Sequence, residues 1–273
     1  MSLATADVEF LQGLVAKHSG NVIAPRQVHM LEQRLGPIAQ NVGLSDVDQL
    51  VAELRRTRSP SLSTQVAEAV TVNETSFFRD MHVFDGLQKS ILPDVVRRNA
   101  QTKQIRIWSA ASSSGQEAHS TAMIIREHFP HLVGWKIEIV ATDLSENMLN
   151  KSRSGEYTQL EVNRGLPVKK LVRFFDRNGS VWRAKPELRD MIQHRRLNLT
   201  QPWPFIGQFD VVLIRNVLIY FDQATKLDIL QRIRRALRPD GYLFIGSAET
   251  LIGAGVPYKR EQIDATVCYR PTV

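Results

Sequence analysis

The stretch "FDVVLIRNVLIYF", Phe209 to Phe221, decides how the rest of the chain is read. Its first half is a largely apolar run of strand length, the pattern of a strand buried on both faces. Arg215, Asn216 and Tyr220 then crowd the place where such a strand must end. In open α/β sheets, ligands bind outside the carboxyl ends of the strands. Polar groups gathered there point to a reaction site and not to packing.

The same grammar recurs outward from that stretch. From residue 104, "QIRIWSA", "KIEIVATD", "FDVVLIR" and "GYLFIGS" read as strands, with helices near 115–129, 145–153 and 223–237. This alternation predicts an α/β fold with a doubly wound, mostly parallel sheet. The final "DATVCYRP" reads as a last strand closing the sheet edge. Residues 155–200 break the pattern with a short helix, "PVKKLVRFF", a turn at Asn178-Gly179, and a strand-like "DMIQHRRL". We expect them to form a small antiparallel β insertion on the carboxyl edge of the sheet.

The first eighty residues read as short helices. Thr5 is placed to cap a first one carrying Phe10, Leu11, Leu14 and Val15, which stops near Ser19-Gly20-Asn21. Pro25 suits the first turn of a second, with Val28, Leu31, Leu35 and Ile38. Ser45, followed by Asp46 and Asp48, opens a third, where the acidic residues complement the helix dipole. Ser59-Pro60-Ser61 separates a fourth. The segment "VTVNETSFFRD" (70–80) interrupts this pattern, and a longer helix over about 80–98 follows. The expected division is a helical domain over 1–78, a linker helix over 79–100, and a sheet domain over 101–273 with its insertion at 155–200.

At 273 residues the chain has enough apolar content for a full core. The start "MSLATADVEF" has neither the basic nor the apolar region of a signal peptide. No apolar run approaches the roughly 20 residues that span a bilayer, and the single cysteine, Cys268, allows no internal disulfide. A soluble, cytoplasmic protein without membrane insertion is expected. The net charge of +7 is unevenly spread: residues 1–78 hold six Lys/Arg against eight Asp/Glu, so the excess lies downstream. It is concentrated in and around the insertion. A localised positive field favours an acidic partner, whether nucleic acid or a carboxylate-rich protein surface, although a solvated basic face is the plainer reading.

Two further features narrow the ligand. "WSAASSSGQEAHS" (108–120) runs from a strand through small residues into a helix, as in a nucleotide-binding first turn where the backbone approaches its ligand closely. Gly115 is its only glycine, so on its own it is a weak signal. Asp143 ends the next strand, where a carboxylate can accept hydrogen bonds from both ribose hydroxyls; Ser145 and Glu146 beside it equally suit a helix cap. With no Walker lysine and little glycine, a phosphate-free adenosine cofactor such as S-adenosylmethionine fits best. His128 and His131 are separated by a proline and lack cysteine or acidic companions, so no metal centre is expected.

"VNETSFFRD", "IWSAASSSGQEAHS", "ATDLSENML", "LNL" (197–199), "IRNVLIYF" and "LRPDGYLFIGSAE" stand in the order found in chemotaxis receptor methyltransferases. The chain closely resembles that CheR family over about 65–271, and its first helices fit the family's small helical domain. The resemblance implies a Rossmann-like methyltransferase that moves a methyl group from S-adenosylmethionine to glutamate side chains on the cytoplasmic helices of chemoreceptors, leaving S-adenosylhomocysteine. It implies cofactor contacts from Asn73, Thr75, Arg79, Glu117, Asp143, Asn198, Leu199, Arg215 and Asn216, with Tyr220 beside the transferred methyl. Arg79 and Tyr220 are the candidate catalytic residues.

Each has a competing task. The Arg79 fork suits a carboxylate, that of the cofactor in preference to the substrate's. Tyr220 could orient the substrate carboxylate or pack against the methylthio group; Arg215 could be a strand-end ion pair, Asn216 a turn cap, and Phe77-Phe78 core. The chain departs from the family's common "GEEPYS" by reading "GQEAHS". The short "DRNGSVW" (176–182) resembles the type that works without docking on a receptor's C-terminal pentapeptide. A regulatory adaptor protein is a further partner compatible with the family. The alternatives are a nucleic-acid methyltransferase, against which no Asn-Pro-Pro-Tyr type of loop is present, and a non-catalytic signalling adaptor that binds S-adenosylmethionine.

Overall fold

The computed structural model describes residues 3–23, 28–251, 255–263 and 265–272. The chain divides into two compact units, one of 1–72 with 199–201 and 219–226, the other of 73–198 with 202–218 and 227–273. Among the described residues no helix is long and apolar enough to cross a membrane.

In the first unit the helices are Thr5–Ser19, His29–Asn41, Val47–Thr57 and Pro60–Val70. Their apolar faces meet in a core of Leu11, Leu31, Leu35, Leu50, Leu54 and Val66. The caps differ in part from expectation. Thr5 is itself the first helical residue, and no side chain caps that helix. Asp46, not Ser45, accepts the Gln49 N–H (2.9 Å), because a carboxylate is the stronger acceptor and Ser45 spends its hydroxyl on Asp46. Ser59 caps the fourth helix with Pro60 as its first residue. Gly20 ends the first helix at φ 72°, and a β-carbon there would fall 2.3 Å from the Thr200 methyl. Pro25 and Arg26 lie outside the described residues.

The second unit is built on a seven-stranded sheet. Its strands are β1 (Gln104–Ala110), β2 (Lys136–Asp143), β6 (Ile192–Arg196), β7 (Phe209–Ile214), β8 (Leu237–Ile245), β9 (Tyr258–Ile263) and β10 (Thr266–Pro271). The order is β6-β2-β1-β7-β8-β10-β9, parallel from β6 to β8 and antiparallel beyond. A second sheet, β3 (Glu156–Thr158), β5 (Val181–Ala184) and β4 (Phe175–Asn178), is wholly antiparallel and is the predicted insertion. Helices Gln116–His128, Glu146–Ser154 and Gln223–Ala236 follow β1, β2 and β7.

Two strand assignments need correction. "DMIQHRRL" does not belong to the insertion: β6 pairs parallel with β2, from Ile139↔Ile192 to Asp143↔Arg196, and buries Met191 and Ile192 against the main core. "DATVCYRP" does not close the sheet, because β9 lies outside β10. β9 reads "YKREQI" with largely exposed side chains, and charged residues are what protects a sheet edge from further pairing. That composition hides it from a hydrophobic pattern search. The helix expected over 80–98 runs over 81–98 with one π turn at Leu87–Ile91. Pro93 cannot donate to the carbonyl four residues back, and the helix widens just before it.

The core of this unit gathers around β1. Trp108, Tyr157, Phe77, Phe174, Phe175 and Phe209 are fully buried, and burial of each large apolar side chain contributes roughly 1.5–3 kcal/mol. Strand order reverses at β1, which has β2 on one flank and β7 on the other. Register aligns Ala110 with Thr142 on one side and with Ile214 on the other. The loops leaving β1, β2 and β7 therefore emerge together at the switch point, where such sheets open a crevice.

Candidate cofactor-binding site

Backbone strain marks this crevice. Phe78, Asp80, Ala111, Ser113 and Asn216 have positive φ between 48° and 58°, conformations that side-chain-bearing residues adopt only when their surroundings over-determine them. In the loop after β1, Gly115 has φ 90° and a β-carbon would lie 1.9 Å from the Ser152 hydroxyl. Only glycine fits there.

Asp143 organises that loop. One carboxylate oxygen accepts the Ser113 N–H (2.8 Å), the other the Ser145 N–H (2.9 Å), and the Asp143 carbonyl accepts the Leu197 N–H (2.9 Å). The Ser113 hydroxyl donates to the Asn73 carbonyl (2.7 Å), tying the "NETSFFRD" segment to the same loop. Asn198 comes next after Leu197 and is half-buried.

Arg215 joins three segments distant in sequence. Its guanidinium donates to Glu117 (2.9 Å), to the Arg79 carbonyl (2.6 Å) and to Asp80 (2.7 Å), with only 2% of the side chain exposed. Ser109 on β1 donates to the other Glu117 oxygen at 2.7 Å. Burial would raise the Asp80 carboxyl, but the Ser247 hydroxyl and the Arg215 guanidinium outweigh it and hold it below its ordinary range. The Arg79 side chain itself is half-exposed, donates to the Glu74 carbonyl (3.1 Å), and among the described residues pairs with no carboxylate. Thr75 is half-buried beside it in sequence. Phe77 and Phe78 are core: Phe77 stands edge-on to Tyr157 and Phe175, and Phe78 to Phe84.

Asn216 is held by its backbone. Its N–H and that of Gly246 both donate to one oxygen of Glu249 (3.0 and 2.6 Å), and a β-carbon on Gly246 would come 2.6 Å from the Asn216 amide nitrogen. Leu199 and Tyr220 belong to the first unit. There the Tyr220 carbonyl accepts the Val22 N–H (2.9 Å), and Tyr220 lines a pocket with Val22, Met30, Arg34 and Val70. Arg34 donates to the Val70 and Thr71 carbonyls.

Hydrogen bonds thus join Asn73 to Asp143 through Ser113, and Arg79 to Glu117 through Arg215, around the carboxyl ends of β1, β2 and β7. Sequence reading missed Asp80, Ser109, Ser113 and Glu249, which hold these residues in place. Asp80 and Glu249 are the last letters of "NETSFFRD" and "GSAE", so a signal was present, but nothing in sequence says that they grip Arg215 and Asn216.

Glu117 and Asp80 are paired with Arg215, and Asp143 adds a further carboxylate at the end of β2. The Ser112 hydroxyl in the loop after β1 is buried and has no hydrogen-bond partner among the described residues, so it is a polar atom a ligand could satisfy. Residues 73–267 match the family model described as CheR methyltransferase, SAM binding domain. The chain is 38% identical to chemotaxis protein methyltransferase 1 of Pseudomonas aeruginosa and 36% to chemotaxis protein methyltransferase Cher2 of Pseudomonas putida, in each case over 99% of both chains. It is 34% identical to chemotaxis protein methyltransferase 1 of Vibrio cholerae over 92% of this chain and 91% of that one. A SAM-binding family model over residues 73–267, with relatives matched over nearly their whole length, places the chain in the CheR family of chemotaxis methyltransferases.

Proposed function

We propose that this protein methylates glutamate side-chain carboxylates on the cytoplasmic helices of chemoreceptors, in the cytoplasm, and works without docking on a C-terminal pentapeptide. The observation that carries this reading is the Arg215 network, which gathers "NETSFFRD", "GQE" and "RNV" at one crevice in a chain of this family. The hairpin of the insertion supports the untethered mode: only Gly179 and Ser180 connect β4 to β5, leaving no long loop for a peptide.

S-adenosylmethionine supplies the methyl group and, as a sulfonium, its own leaving group. The chain's residues would hold and orient. Asp143 would accept the ribose hydroxyls, Arg79 would fork onto the methionyl carboxylate, and Glu117 with Asp80 would give the acidic floor. Asn73, Thr75, Asn198, Leu199 and Asn216 would complete the contacts, with Arg215 fixing Glu117 and the Arg79 backbone. Tyr220 would orient the incoming carboxylate. A glutamate is already ionised at neutral pH, so no general base is required. Alignment alone can supply roughly 7–11 kcal/mol of the barrier.

The test is to incubate the protein and S-adenosylmethionine with a receptor cytoplasmic fragment or with RNA, and to map methyl additions by mass spectrometry. Methyl groups on receptor glutamates are expected; modification of RNA alone would support the nucleic-acid alternative and remove this one.

A further inference from the structure

Tyr157 stands on β3 of the insertion, yet its side chain is fully buried in the main core. Its ring is edge-on to Phe77 at 5.0 Å. Its hydroxyl donates to the Ser114 carbonyl (2.8 Å) and lies 3.1 Å from His119 Nδ1. That same Nδ1 is 2.9 Å from the Gly115 carbonyl. A carbonyl can only accept, so Nδ1 carries the proton and donates. His119 is therefore the neutral Nδ1–H tautomer, and its Nε2 is buried without a partner among the described residues.

The consequence is local. Ser114 and Gly115 are the last two residues of the strained loop after β1, whose backbone alternates into positive φ at Ala111, Ser113 and Gly115. Such a shape persists only when its peptide planes are held. Tyr157 holds one carbonyl and His119 the next. We propose that Tyr157 and His119 are positioning residues for S-adenosylmethionine binding, clamping the loop over 111–115 in the form the cofactor meets. The insertion is thereby tied to the cofactor site through one hydroxyl. This rests on the reading that the loop beside Asp143 contacts the cofactor.

The experiment compares four proteins: the native chain, Tyr157→Phe, Val162→Ala and Asp143→Ala. Val162 is a buried apolar residue of the insertion in the same core as Tyr157 and takes no part in the bonds to Ser114 and Gly115, so its variant loses packing but keeps the hydroxyl. S-adenosylhomocysteine affinity is measured by titration calorimetry, and KM and kcat with receptor-containing membranes. Loss of one hydrogen bond predicts a roughly three- to tenfold weaker affinity in Tyr157→Phe, with KM for S-adenosylmethionine raised in step and kcat within twofold. Val162→Ala should melt earlier with unchanged affinity. Native affinity in Tyr157→Phe, beside a weakened Asp143→Ala, would overturn the proposal. So would equal losses in Tyr157→Phe and Val162→Ala, which would make the hydroxyl merely structural. Near-native affinity in Asp143→Ala would overturn the site reading itself, and the proposal with it.

Discussion

Arg215 lies 2.9 Å from Glu117 and is almost fully buried, although the two are 98 residues apart in sequence. The same guanidinium reaches Asp80 and the Arg79 carbonyl. A buried charge left without its partner costs roughly 3–5 kcal/mol. Arg215→Met should therefore destabilise the fold by several kcal/mol, read as a lower midpoint in chemical denaturation. Arg215→Lys keeps the charge, but a lysine ammonium lacks the planar fork that spans three acceptors. It should fold and bind S-adenosylhomocysteine at least tenfold more weakly.

Asp143 accepts the Ser113 and Ser145 N–H groups at the carboxyl end of β2. Asp143→Ala should weaken S-adenosylhomocysteine binding by more than tenfold in calorimetry. Asp143→Asn would turn an amide donor towards the Ser113 or Ser145 N–H and should lose a similar amount. A variant of either kind with native affinity would remove Asp143 from the ribose.

Much of this arrangement was legible in the sequence. β1 and β2 fall where "QIRIWSA" and "KIEIVATD" predict, because their β-branched apolar residues recur at strand spacing. β9 and β6 were hidden or misplaced for the opposite reason: edge strands are charged, and pairing partners are not written in local pattern. Arg215 and Glu117 were both singled out, but not as partners, and Asp80 not at all, since the three meet only after the sheet reverses at β1. Tyr157 carries no signal in the sequence, since nothing local reports that its hydroxyl ends at Ser114.

Stability should depend on pH through His119. Burial, more than any neighbouring charge, pushes its pKa down to about 4 from an ordinary 6.5, with Arg189 adding to the effect. His194, hydrogen-bonded to Ser152, is likewise lowered to about 4 by burial, by His119 and by Arg153. Between these values the unfolded chain binds protons that the folded one does not. The contribution is complete above about pH 6.5 and is lost as pH falls towards 4. For His119 it amounts to about 3 kcal/mol at most. Denaturation curves across this range should show His119→Phe taking up about one proton fewer on unfolding than the native chain.

The basic insertion should speed encounter with an acidic substrate. Lys170 and Arg173 are already engaged with Glu127, so reversing them would disturb the fold as well as the field. Lys169 and Arg177 are exposed. Lys169→Glu with Arg177→Glu should slow receptor methylation roughly three- to tenfold at low salt, with the difference fading at high salt. S-adenosylhomocysteine affinity should not change. Equal rates at low salt would contradict the steering role.

The central claim is that the methyl group is delivered to a carboxylate. Methyl esters hydrolyse in mild base, whereas methylated amines and bases do not. With methyl-labelled S-adenosylmethionine and receptor-containing membranes, the label should enter the receptor and be released as methanol by mild base, with incorporation largely lost in Asp143→Ala. Label that stays bound under those conditions, or enters only added RNA, would contradict the account.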